Sequence, residues 1–414
     1  MSPNPPLSFR EVLQLKPVRR LWLAQIVSVF GDFLALFAVL SVVSFKLHGT
    51  PGQITLITVS FMIPFAFIGP LAGVFVDRWN VKRTMIASDL IRSGLALSLV
   101  FAGSVNQLYV ILFALSLVST FFVPAQTVTL RTIVPPAGLM SANALMQQAF
   151  QFVRIISPAL AGLMVDKLGA SSCYYVDTVS FLFSALMIAG IKVAREPKKP
   201  APGSHPVKSV LDDLAAGVKF IFTHETLAFV IVAMSAAMFA VSCFGPLIAV
   251  YVRDDLHANS TAFGIINALI GVGMICGTLG MSRFATKLAK GHLIVMGLLT
   301  MGVFVTGLAA LRSIAGASLG MFGIGVGVVF VFVSAQTMMQ GQTPMEMMGR
   351  VSSSLMAALS WAQLVGLGIS GSLTRQVGVR ALFYASAVML AIFATVGYFR
   401  LPQAQAAKAE AATP

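Results

Sequence analysis

Twelve apolar runs, each long enough to cross a lipid bilayer, recur along this 414-residue chain. They fall at 21–45, 53–76, 84–103, 107–128, 140–165, 172–191, 226–250, 260–281, 291–311, 314–339, 350–374 and 378–400. Hydrocarbon offers no water to a backbone N–H or C=O, so each run must satisfy its polar groups internally, as a helix. With 57% apolar and 10% charged residues, the chain lacks the polar groups to cover a water-facing surface. The first run is too long for a cleaved signal peptide and lacks a small-residue cleavage site. An all-α membrane protein with twelve transmembrane helices is expected.

The charge distribution orients those helices. A net charge of +14 would point to nucleic acid in a soluble chain, but here the basic residues lie between the apolar runs. Placing both termini in the cytoplasm puts 20 of the 28 Lys and Arg on the cytoplasmic side. Six fall outside (Lys46, Lys167, Arg253, Arg312, Arg375, Arg380), and Arg92 and Arg154 lie within spans. That bias is the positive-inside pattern.

One long polar stretch divides the chain. It reads REPKKPAPGSHPVKSVLDDL, basic and Pro-rich at first. From Val207 to Phe222 it predicts an amphipathic helix lying along the cytoplasmic membrane face. The domains expected are a six-helix bundle over 1–192, a linker over 193–222 and a second six-helix bundle over 223–414. Sequence matches at nearly constant offset connect the two bundles. Phe122-Val-Pro-Ala-Gln-Thr127 matches Phe332-Val-Ser-Ala-Gln-Thr337, 210 residues on. Gly162, Gly169 and Tyr175 match Gly371, Gly378 and Tyr384, 209 residues on, and Gly69-x-Leu71 matches Gly277-x-Leu279 at 208. Duplicated halves related by a pseudo-two-fold axis are a transporter plan, with the substrate site near the midplane.

Ionisable residues within the spans are the candidates for chemistry, since each costs about 2.5–3.5 kcal/mol at membrane depth. The acids are Asp32, Asp89 and Asp177. Asp32, near the middle of the first run, is the first candidate for a proton- or cation-responsive group, with a purely structural acid as the alternative. Burial favours the protonated form of a carboxyl and a nearby cation the ionised form, so an opening and closing cavity would switch it. Arg154 lies at similar depth in the fifth run and is the expected partner of Asp32. Asp89 and Arg92, three apart, are expected to pair on one helix face and to support the hairpin that follows the second run. Asp177, beside Tyr174 and Tyr175, reads as an anchor at the membrane surface. Candidate polar groups for a substrate cavity are Gln25, Gln126, Asn143, Gln147, Gln151, Gln336 and Gln363. An otherwise apolar lining would suit a hydrophobic organic substrate, cationic or neutral.

That hairpin is the stretch Gly69 to Arg83, GPLAGVFVDRWNVKR. Gly69 and Gly73, four apart, are expected to let another backbone approach closely. Arg78, Lys82 and Arg83 would pin the turn to the positive side of the membrane. The spacing Gly73-x-x-x-Asp77-Arg78-x-x-x-Lys82-Arg83 resembles the loop signature of the major facilitator superfamily. The resemblance implies a gating loop whose acid and bases latch the two halves in one state. The family's turn glycine is Asn80 here, whose tolerance of a left-handed backbone would preserve the turn. Ser157-Pro-Ala-Leu-Ala-Gly162 is similar to a degraded antiporter motif of that family. Pro158 removes a backbone donor and Gly162 permits close packing, together making a bendable helix.

Over nearly its whole length the chain resembles the bacterial branch that includes macrolide efflux proteins and the enterobactin exporter. Gly31-Asp32, the hairpin, Phe122-Val-Pro-Ala-Gln126, Ser141-Ala-Asn-Ala-Leu145, His205-Pro-x-Lys-Ser209, Gln342-Thr-Pro344 and Gly349-Arg350-Val351 carry that resemblance. It implies a monomer in the bacterial inner membrane that exports hydrophobic molecules by alternating access. Proton entry is the expected drive, with no cofactor. One charge falling through about 100 mV supplies roughly 2.3 kcal/mol, enough for a gradient of about fifty-fold. A lysophospholipid-type flippase, a small-molecule importer and a non-transporting receptor are the alternatives. The sequence lacks a phosphate-binding loop ending in Lys-Ser/Thr, a HExxH motif and a nucleophile elbow, so neither direct ATP drive nor enzymatic chemistry is expected. Cys173, Cys243 and Cys276 show no metal or disulfide spacing and read as small core residues.

Overall fold

The computed structural model describes residues 7–193, 206–284 and 288–410. These form sixteen α-helices. The first eight are α1 (Phe9–Gln14), α2 (Lys16–Ser41), α3 (Pro51–Phe67), α4 (Gly69–Arg78), α5 (Val81–Ser98), α6 (Val105–Ile133), α7 (Leu139–Leu168) and α8 (Ala170–Ala189). The rest are α9 (Pro206–Phe222), α10 (Glu225–Phe244), α11 (Ile248–Asp254), α12 (Ser260–Phe284), α13 (Lys290–Ala310), α14 (Ile314–Gln342), α15 (Met345–Val377) and α16 (Val379–Glu410). Eleven spans among the described residues are long and apolar enough to cross a membrane, and α3 is a shorter apolar helix. Phe101, Val110, Leu186, Val303 and Phe399 are each more than 60% exposed. So many large exposed apolar side chains fit a lipid-facing surface and not a water-facing one.

Two expected spans are not single helices. The second, 53–76, breaks at Ile68 into α3 and α4. Pro64 lies inside α3 and Pro70 in the first turn of α4. The helix tolerates Pro64 and continues to Phe67, whereas Pro70 lacks the amide hydrogen that would carry the ladder across Ile68. The seventh breaks after Phe244 at Gly245-Pro246, so that α10 is followed by α11. Of the cysteines, Cys173 and Cys243 are buried as expected, but Cys276 is exposed.

The described chain divides into two compact units, Met1–His48 with Ser60–Pro206, and Gly49–Val59 with Val207–Pro414. In the first, α2 packs on α7 and α8, and α5 packs on α6 and α8. An apolar core of Val12, Leu21, Met85, Phe122, Leu145 and Ile188 ties these helices together at one end. Helix α1 joins that core and opens with a capping box, in which Ser8 and Glu11 bond reciprocally. The Ser8 hydroxyl, with its amide, holds the Glu11 carboxyl below the usual value. In the second unit, α13 packs on α14 and α16, α12 on α14, and α10 on α15.

The repeat reaches the backbone at an offset of 209 residues. Gly169 and Gly378, between paired helices, have φ of 81° and 82°. His48 and His257 are the positive-φ residues besides glycine among those described, at 47° and 49°. Ser104 and Ser313 cap α6 and α14 at their N-termini with nearly equal angles. Since α6 and α14 are both 29 residues long and start 209 apart, the Phe122 and Phe332 motifs, 210 apart, sit one position out of register. Their likeness is real as sequence, but it does not put the two glutamines at equivalent positions.

Candidate functional site

Four helices of the first unit converge on Arg92. Helix α5 contributes Ser88, Asp89, Arg92 and Ser93 on its buried face, the i, i+3, i+4 spacing of one helical stripe. Asp89 and Arg92 form the expected pair, and the Ser184 hydroxyl donates to the other Asp89 oxygen at 2.7 Å. Arg92 also reaches Asp32 on α2, with Nη1 to Oδ2 at 3.7 Å. Its guanidinium lies between the rings of Phe122 and Phe181, 4.5 and 4.3 Å from their centroids. A planar, weakly hydrated cation suits that sandwich better than an ammonium would.

A third acid completes the cluster. Asp177 on α8 is fully buried, with an oxygen that has no hydrogen-bond partner among the described residues. Asp32 and Arg92 are its electrostatic neighbours. Gly31 makes this approach possible, because a Cβ there would lie 2.5 Å from Asp177 Oδ1 and 2.9 Å from its Cα. Asp177, Phe181 and Ser184 share one face of α8 at i, i+4 and i+7. Asp177 is therefore an interior residue, and the membrane-surface anchor expected from the two neighbouring tyrosines is corrected. Two carboxyls thus pair with one guanidinium and a third lies nearby, and Asp32 is the member with access, at 24% exposure against 0% for Asp89 and 3% for Arg92.

Other expectations change too. Arg154 is not the partner of Asp32; its side chain is exposed and makes no ion pair among the described residues. Depth along two helices matched them, but α5 presents Arg92 to Asp32 first. The Asp89–Arg92 pair supports α2 and α8 rather than the hairpin. Among the described residues Gly69 and Gly73 are not close-approach points: a Cβ at Gly69 would meet only the Thr120 Cγ2 at 4.0 Å, and one at Gly73 no atom within 4 Å. Helix α4 packs on α6 through rings instead, Phe75 and Trp79 against Phe121. Asn80 is extended, at φ −73°, and serves as the N-cap of α5 by accepting from the Arg83 amide. Its expected left-handed turn is absent.

Of the hairpin bases, Lys82 donates to the Ala189 carbonyl at 2.7 Å, a cation closing the C-terminus of α8. Arg78 and Arg83 are exposed, and the Asp77 side chain lies outside the described residues, as does the Pro-rich stretch before His205. Ser157, Pro158 and Gly162 are buried along an uninterrupted α7. Gln126 donates to Gln25 at 2.6 Å, so two of the candidate cavity glutamines meet. Gln147 and Gln336 are exposed, Gln151 and Gln363 half-buried. Asn143 donates to the Leu139 carbonyl of its own helix.

Comparison with known proteins bears on this architecture. The model of the Major Facilitator Superfamily matches residues 21–356 and 230–414. The chain belongs to that superfamily. Among its similar relatives is the uncharacterized MFS-type transporter YfiS of Bacillus subtilis, 26% identical over 390 residues and 91% of each chain. Macrolide efflux protein A of Streptococcus pyogenes is 22% identical, covering 91% of this chain and 94% of its own. The multidrug efflux pump Tap of Mycolicibacterium fortuitum is 25% identical, covering 85% and 88%. The solved structure of the nucleoside transporter NupG shares the fold, with a TM-score of 0.73 at 12% identity over 92% of this chain and 98% of that one. This superfamily protein is thus a multi-pass membrane transporter, not an enzyme.

Proposed function

We propose that this transporter exports hydrophobic small molecules, of the macrolide or siderophore type, in exchange for protons by alternating access. It acts as a monomer in the bacterial inner membrane, with both termini in the cytoplasm and no cofactor beyond the proton gradient. The observation that carries the reading is the partly exposed Asp32 carboxyl, 3.7 Å from an Arg92 that also holds Asp89. A proton arriving at Asp32 cancels its attraction for Arg92 and leaves the guanidinium to α5. A proton leaving restores the tie between α2 and α5. Loading and unloading one group therefore changes the forces among α2, α5 and α8, the differential interaction that any conformational switch requires. Buried Asp89 keeps Arg92 in place through both states. The likeness to macrolide efflux protein A and Tap supports export, and the 20 cytoplasmic basic residues support the orientation.

Efflux of ethidium and of radiolabelled erythromycin from energised cells tests the reading. Wild type is expected to expel at least one of them, a protonophore to abolish expulsion, and Asp32→Asn to lower it by about tenfold or more at equal surface abundance. Export of neither probe contradicts the proposed substrate class. Export that survives the protonophore contradicts proton coupling.

A further inference from the structure

A cavity of about 720 Å³ lies beside the hairpin, at the ends of α4 and α5 and along α6. Its lining joins Arg78, Trp79 and Arg83 at the mouth to Ile91, Leu117 and Phe121 further in. Among the described residues, neither guanidinium has an ion-pair or hydrogen-bond partner and no acidic side chain lines the cavity. Ile91 is 53% exposed and Trp79 45%. Arg83 and Ile91 are eight residues apart on α5, about 12 Å along the helix axis. This open groove therefore runs from two cations at the hairpin to apolar side chains about two helical turns along α5. Trp79 sits at the hairpin end, held against Phe121 at 5.6 Å between ring centroids.

We propose that this cavity binds an anionic phospholipid. Its phosphate lies between Arg78 and Arg83, and one acyl chain runs along Ile91, Leu117 and Phe121. Charge complementarity selects the lipid. Guanidinium groups grip phosphate oxygens through paired N–H donors, and a zwitterionic headgroup brings its own cation against the two arginines. The apolar inner lining distinguishes a lipid from a free phosphate, which would leave Ile91 and Leu117 uncovered.

Trp79 supplies the readout. The full chain carrying Trp22→Phe and Trp361→Phe is placed in nanodiscs over the same series of mole fractions of chain-brominated phosphatidylglycerol or phosphatidylcholine. Quenching of Trp79 is expected to half-saturate at an about fivefold or greater lower fraction of the anionic lipid, from attraction to two basic residues. Arg78→Gln with Arg83→Gln is expected to erase the difference, and Arg78→Lys with Arg83→Lys to keep most of it, which separates loss of charge from loss of fold. Equal quenching by both lipids overturns the proposal. So does no quenching by either, which would mean that protein covers the cavity, and so does loss of the difference in the lysine pair.

Discussion

Arg92 carries more of the first unit's internal electrostatics than any other single side chain described, touching Asp32, Asp89, Phe122 and Phe181 at once. Removing one partner of a buried charge pair leaves the other uncompensated, typically at a cost of about 3–5 kcal/mol. Arg92→Ala should therefore unfold at a markedly lower temperature in detergent. Arg92→Lys should fall between the two, keeping the charge but losing the flat contact with both rings. An Arg92→Ala protein as heat-stable as wild type would remove the cluster from the account. Part of this site was legible in the sequence and part was not. Three-residue spacing reveals the Asp89–Arg92 pair, because it depends only on helix geometry. Depth alone selected Arg154 for Asp32, since depth fixes height along a helix and not which way the side chain turns. Asp177 was hidden for the same reason, although its shared face with Phe181 and Ser184 was a signal available in the spacing.

Helix α9 was readable as an amphipathic segment from its pattern, but what it sits on was not. Gly217 lies so close to α15 that a Cβ there would come 2.8 Å from the Arg350 carbonyl carbon. Ser354 donates to the Leu214 carbonyl at 3.1 Å, a second tie between the same helices. Amphipathicity identifies the apolar stripe, whereas this seat depends on one missing side chain. Gly217→Leu should displace α9, since overpacking costs about 1–3 kcal/mol. Trypsin cleavage at Lys219 should then accelerate by about fivefold or more, with cleavage elsewhere unchanged. Unaltered cleavage would mean that α9 is held by other contacts. The broken second span belongs to this scale too. Hydropathy reads 53–76 as one helix because Pro70 counts as apolar, while its missing amide leaves no donor back to Ala66 beside the break at Ile68.

Over the whole molecule, the apolar runs and the near-constant offset make the transporter fold legible in the sequence, because both follow from the bilayer and from duplication. Among the sequence offsets of 208, 209 and 210, the repeat of backbone angles at Gly169 and Gly378 and at His48 and His257 selects 209. Orientation can be tested by labelling single cysteines in a background without Cys173, Cys243 and Cys276. A membrane-impermeant maleimide applied to whole cells should label His257→Cys and spare Lys290→Cys, two positions exposed in the structure. The reverse pattern would invert the topology and with it the direction of export. The central claim, that a proton moves through Asp32 as substrate moves the other way, has a more direct test. Everted membrane vesicles are acidified by respiration and reported by a pH-sensitive dye. Adding ethidium or erythromycin should release protons from wild-type vesicles and not from Asp32→Asn vesicles holding the same amount of protein. Proton release of equal size from Asp32→Asn would contradict the account.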